Sequence, residues 1–67
     1  MKEEYKEWIK EHEAIFTNSV NVTIEVRTQV YNIYNDTFNK NRKMSGCFRC
    51  WKAVRDELYK KYLEDNV

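Results

Sequence analysis

In 67 residues the chain has no proline and a single glycine, Gly46. Those two residues supply the special backbone angles of tight turns, so a hairpin-rich fold lacks its punctuation here. Helices joined by polar connections need no such residues. The absence of proline also leaves every stretch free to continue a helix without losing a backbone donor.

The apolar spacing follows that lead. Tyr5, Trp8, Ile9, His12, Ile15 and Phe16 recur at three- and four-residue intervals, with Glu and Lys between them, as on one face of a helix. "TNSVN" then interrupts the pattern and offers Asn18, Ser19 and Asn21 as N-cap candidates. From Val20 a stripe runs through Ile24, Arg27, Tyr31, Tyr34 and Phe38, with Val22, Val26, Val30 and Ile33 beside it. So wide an apolar surface demands cover on two sides. After "NKNRKMSG", with Ser45 placed to cap, Cys47, Trp51, Val54, Leu58 and Tyr62 define a third face. The expectation is an all-α domain, a small three-helix bundle over about 2–16, 20–38 and 46–64, with the second helix in the middle. Its expected core is Trp8, Ile9, Phe16, Ile24, Tyr31, Tyr34, Phe38, Trp51, Val54 and Leu58.

One stretch admits a second reading. In "NVTIEVRTQV", Val22, Ile24 and Val26 alternate with polar residues as a half-buried strand requires. A strand at 20–26 would stand alone in the chain and would have to pair with another copy to satisfy its backbone. A helix needs no partner and is the reading preferred, although the β-branched run lowers its propensity.

A chain of this length makes one domain with a small core, marginal by itself. The aromatic share of 15% offsets this, and 42% apolar with 34% charged residues suits a folded domain rather than a disordered one. No run approaches the roughly 20 apolar residues of a membrane span. "MKEEYKEWIK" is too polar for a secretory signal. The Asn21-Val22-Thr23 and Asn35-Asp36-Thr37 triplets are therefore read as coincidental matches to a glycosylation pattern. The expected location is intracellular, where Cys47 and Cys50 are reduced.

Little in the chain can carry catalysis. One glycine cannot build a phosphate-cradling loop, and His12 has no serine, second histidine or carboxylate pair spaced around it. No enzyme activity, cofactor or small-molecule substrate is expected. Cys47-Phe48-Arg49-Cys50 opens a helix, where the macrodipole favours a thiolate. The redox reading lacks the βαβ surroundings and the proline of thiol oxidoreductases. Cys47, Cys50 and His12 are metal candidates, but they fall one ligand short of a zinc site. The two cysteines are read instead as small apolar residues packing the first turn of the last helix.

Charge is segregated. Residues 1–26 hold three basic and six acidic groups, whereas residues 40–61 hold eight basic and two acidic, a net of +6. Lys40, Arg42, Lys43, Arg49, Lys52 and Arg55 are accordingly the candidate binding residues, for an acidic protein surface or for phosphates. Asp56 and Glu57 interrupt the basic face and tilt the choice toward protein.

The segment from Tyr31 to Tyr62 resembles small helical proteins encoded by tailed bacteriophages. The likeness rests on Tyr31-Asn32, Tyr34-Asn35, Phe38, and Ser45-Gly46-Cys47 with Cys50, followed by a basic amphipathic helix. It implies a virion or host-cytoplasm setting and a protein partner or a second copy of the chain. A second likeness is to ribbon-helix-helix repressors, with 20–26 as the strand. That likeness implies a dimer reading DNA through Asn21, Thr23 and Glu25, although a central carboxylate and a long preceding helix depart from the family's pattern.

Overall fold

The computed structural model describes residues 1–18, 22–44 and 46–65. The described residues form helices α1 (Glu3–Glu11), α2 (Glu13–Thr17), α3 (Ile24–Phe38) and α4 (Phe48–Asp65), with no strand among them. The chain is an all-α small helical bundle. The strand alternative fails where it can be seen, because Ile24–Val26 is the first turn of α3. The part of that alternative on residues 20 and 21 lies outside the described residues.

The first expected helix is present but broken at His12, whose backbone leaves helical angles (φ −111°, ψ 25°). The cause is local. His12 Nδ1 lies 2.8 Å from the Trp8 carbonyl oxygen, which also accepts the His12 backbone N–H. A side chain bonded to the carbonyl four residues back bends the helix there. The imidazole stacks on Trp8 at 4.1 Å, which fixes the kink.

The second helix starts at Ile24, not near residue 20. Thr23 is extended, and its Oγ1 accepts the Val26 N–H at 3.3 Å, a threonine N-cap. Of the expected caps, Asn18 instead ends α2 in an extended conformation, and Ser19 and Asn21 lie outside the described residues. Helix α3 ends at Asn39, held in the left-handed region at φ 54°. Asparagine tolerates that conformation and here replaces a C-terminal glycine.

Contacts fix the directions of the helices. Arg27 and Tyr31 pack on Trp51, Tyr34 bonds Glu57, and Phe38 lies beside Lys61. Partners on both helices advance together, so α3 and α4 run parallel. The α1–α2 arm runs the other way, because Lys6 reaches Asp65 and Phe16 stacks on Tyr59. Helix α4 packs against each of the other three, so it, and not α3, is the middle element. Tyr34 and Tyr59 hydroxyls reach Glu57 and Glu13, tying α4 to both neighbours, and burial with these carboxylates pushes both phenols up.

The core is Ile9, Phe16, Val30, Tyr31, Ile33, Tyr34, Trp51, Val54, Leu58 and Tyr62. Trp8 and Phe38 only flank it, and Ile24 is 71% exposed. As the first helical residue, Ile24 aims its side chain beyond the end of α3, where no preceding turn covers it. Val30, Ile33 and Tyr62, absent from the expected core, take up the burial instead.

Trp51 (4% exposed) joins α3 to α4 through Tyr31 and Arg27. Trp51→Ala should cost about 3–5 kcal/mol, against a total near roughly 3–10 kcal/mol for a domain this size. Urea denaturation followed by circular dichroism should show the variant unfolded or nearly so at ambient temperature. A native-like midpoint would mean that Trp51 does not join the two helices.

Asp36 Oδ2 accepts the Tyr5 hydroxyl at 2.6 Å and pairs with Lys2 at 3.2 Å, linking α1 to α3. These contacts, the phenol first, hold the Asp36 carboxyl below its ordinary value. Its contribution is complete above the unfolded carboxylate pKa of about 3.9 and is lost as pH falls through the lower folded value. Urea midpoints at about pH 6 and about pH 3 should therefore differ less for Asp36→Asn than for the parent protein.

Candidate functional site

Parallel helices cannot be joined by a short turn. The connection must return the length of α3, and the nine residues between Phe38 and Phe48 do so. Fifteen helical residues rise about 22 Å, and nine extended residues reach about 30 Å, so the crossover has little slack. It begins at Asn39 and ends near the first turns of α3, where the Thr28 hydroxyl lies 3.7 Å from Met44 Sδ.

Asn35 holds this crossover down. Its carbonyl oxygen accepts the backbone N–H of Asn39 and Lys40. Its side chain accepts from Arg42 N at 3.0 Å and donates to Arg42 O at 2.9 Å. The amide thereby imitates a neighbouring strand for one residue. With the Arg42 backbone fixed, its guanidinium sits 5.7 Å above the Tyr34 ring as a cation–π lid on the core.

Lys40, Arg42 and Lys43 are thus exposed on the crossover, and Arg49 and Lys52 on the first turns of α4. Among the described residues, Lys40, Lys43, Arg49 and Lys52 have no acidic partner in an ion pair. Arg55 differs, since its guanidinium is bound to Asp56 at 3.1 Å. Of the six candidates it is the one whose charge is already answered, and it lies below the others along α4.

Because α3 and α4 are parallel, both helix N-termini lie at the same end, and their dipoles add to the charge there. Arg27, which charge counting passed over, belongs to this end. Its guanidinium lies 5.5 Å over Trp51, and its Nε is enclosed without a hydrogen-bond partner. Arg27 lines a cleft with Ile24, Met44 and Gly46, and Phe48 follows two residues beyond. Ile24, Met44 and Phe48 are all exposed. Arginine at a helical stripe position opposite tryptophan was the available signal, but the stripe was read as core. Ser45, the expected cap of the last helix, lies outside the described residues.

The cysteines do not pack the helix interior as expected. Both are exposed. Cys47 is itself the N-cap of α4, its carbonyl accepting from Trp51 N at 3.1 Å and its Sγ from Cys50 N at 3.2 Å. Cys50, through its side chain and then its backbone N–H, holds the Cys47 thiol below its ordinary pKa. His12 is not gathered with them, and no cluster of three metal-ligating side chains occurs among the described residues. No described helix is long and apolar enough to cross a membrane.

Neither a family model, nor a curated protein, nor a solved structure matches this chain at a significant level.

The Asn35 clamp is open to a direct test. Asn35→Ala removes two side-chain hydrogen bonds and should cost about 1–2 kcal/mol. Amide exchange at Arg42 should accelerate more than exchange within α4. Unchanged protection at Arg42 would show that other contacts hold the crossover.

Proposed function

We propose that the chain is a non-enzymatic interaction module that binds an acidic protein surface through the end where α3 and α4 begin, together with the crossover. The observation that carries this reading is the pairing of unanswered cations with uncovered apolar side chains. Lys43, Arg49 and Lys52 stand at the end that carries Ile24, Met44 and Phe48, which are 71%, 40% and 68% exposed, and Lys40 adds its charge at the far end of the crossover. Aromatic and arginine side chains in a partly enclosed cleft are the usual anchors of an interface, with charge around them to steer approach. The likeness to small phage proteins favours a virion or host protein as partner. A second copy of the chain could use the same apolar side chains, and sedimentation at high micromolar concentration separates that case.

Nucleic-acid binding is the second reading, because the same side chains could neutralise phosphates. The exposed apolar residues argue for protein, since a phosphate backbone gives Ile24 and Phe48 nothing to cover them. The ribbon-helix-helix route to DNA lacks its strand at Ile24–Val26.

Titration with an acidic peptide bearing one large apolar side chain should shift the NMR signals of Arg27, Met44, Phe48 and Trp51 together. Arg42→Glu with Lys43→Glu should weaken that binding about tenfold or more, and added salt should weaken it further. Duplex DNA should bind less tightly than the peptide at about 50 mM salt. Tighter DNA binding, with a log–log salt slope of about −4 to −5, would overturn the protein reading in favour of four to six phosphate contacts.

A further inference from the structure

At the start of α4 three features converge that the binding role does not use. Cys47 and Cys50 stand three residues apart across the helix cap, both exposed, with the Cys47 sulfur already turned onto the Cys50 backbone N–H at 3.2 Å. One turn of helix separates Cα atoms by about 5–6 Å, within the span a disulfide bridges. Beside them lies the hydroxyl of Tyr31. That residue is 4% exposed, its ring is fixed on Trp51, and its hydroxyl has no hydrogen-bond partner. The electrostatic neighbours of the phenol are Cys50, Arg42, Cys47 and Arg27. A buried donor with nothing to bond, set among two thiols and two guanidiniums, is placed to meet a charge that is absent in the resting protein.

We infer that Cys47 and Cys50 form a reactive dithiol that exchanges with small disulfides carrying carboxylates and closes to an intramolecular disulfide. Cys47 is the attacking group. Its thiolate displaces one thiolate from the small disulfide, giving a mixed disulfide on Cys47. Cys50 then attacks the Cys47 sulfur, its proton passes to the departing second thiolate, and the Cys47–Cys50 bond forms. The small disulfide is reduced to two thiols and the protein is oxidised by two electrons. The helix N-terminus stabilises the attacking thiolate. The Tyr31 hydroxyl stands within electrostatic range of both sulfurs, and Arg27 and Arg42 favour an anionic reagent. The reaction is stoichiometric and requires no turnover, so it stands or falls apart from partner binding.

The test uses the full chain and oxidised glutathione as the probe, read by intact mass and by peptide mapping after alkylation. The parent protein should lose two hydrogens, retain no glutathione and protect both thiols from alkylation. Cys50→Ser should stop at one glutathione on Cys47. Cys47→Ser keeps a good N-cap and hence the fold, and it should react about tenfold more slowly or worse. Tyr31→Phe keeps the ring stack and should move Cys47 alkylation to higher pH, whereas an unchanged profile would remove Tyr31 from the site. Equal reactivity of the two single serine variants, or glutathione accumulating on the parent protein, would overturn the proposal.

Discussion

The parallel packing of α3 on α4 is the constraint from which the other features follow. Antiparallel helices can be closed by a few turn residues, but parallel ones oblige the chain to travel back across the surface. A nine-residue return over a 15-residue helix is nearly taut, so the sequence between the helices must be polar, extended and tied down. Asn35 ties it, Asn39 starts it in the left-handed region, and Arg42 closes over Tyr34. The same choice sets two helix N-termini side by side. Aligned dipoles repel modestly, and the α1–α2 arm, running the other way, opposes them.

That geometry brings Lys43, Arg49 and Lys52 to one end of the bundle despite a net charge of only +1. Acidic side chains concentrate on the α1–α2 arm, whose contacts with α4 reach from Asp65 back to Tyr59. Among the described residues, no hydrogen bond or ring stack joins the arm to α4 above that level. The described upper end carries Lys43, Arg49 and Lys52 without ion-pair partners and leaves Ile24 and Phe48 exposed. Exposure of Ile24 and Phe48 and the unpaired lysines are two consequences of one short arm.

The sequence disclosed the helices through periodicity alone, because three- and four-residue spacing of Trp, Tyr and Ile is a direct imprint of burial on a helix. Trp51, Val54 and Leu58 were legible for that reason. What it concealed depends on single hydrogen bonds or on direction. The kink at His12 arises from one imidazole nitrogen, which no pattern of hydropathy encodes. Val22 and Ile24 fit the stripe equally well inside or outside a helix, and the Thr23 cap decided where α3 begins. Periodicity also says nothing about which way a helix runs. The breadth of the apolar stripe on α3 put that helix in the middle, whereas the long polar segment before Phe48 was itself the clue to a crossover.

Cysteine at the head of α4 shows how a local role and a chemical one can share a residue. Serine or threonine would cap the helix at least as well, since oxygen is the stronger acceptor. Sulfur in that position accepts the Cys50 N–H more weakly but gains a lower pKa from the same bond. Capping alone does not account for choosing sulfur, nor for a second cysteine three residues on, nor for a tyrosine hydroxyl buried beside them with nothing to bond. The three together are costly as packing. They are coherent as a place where a thiolate forms and is held.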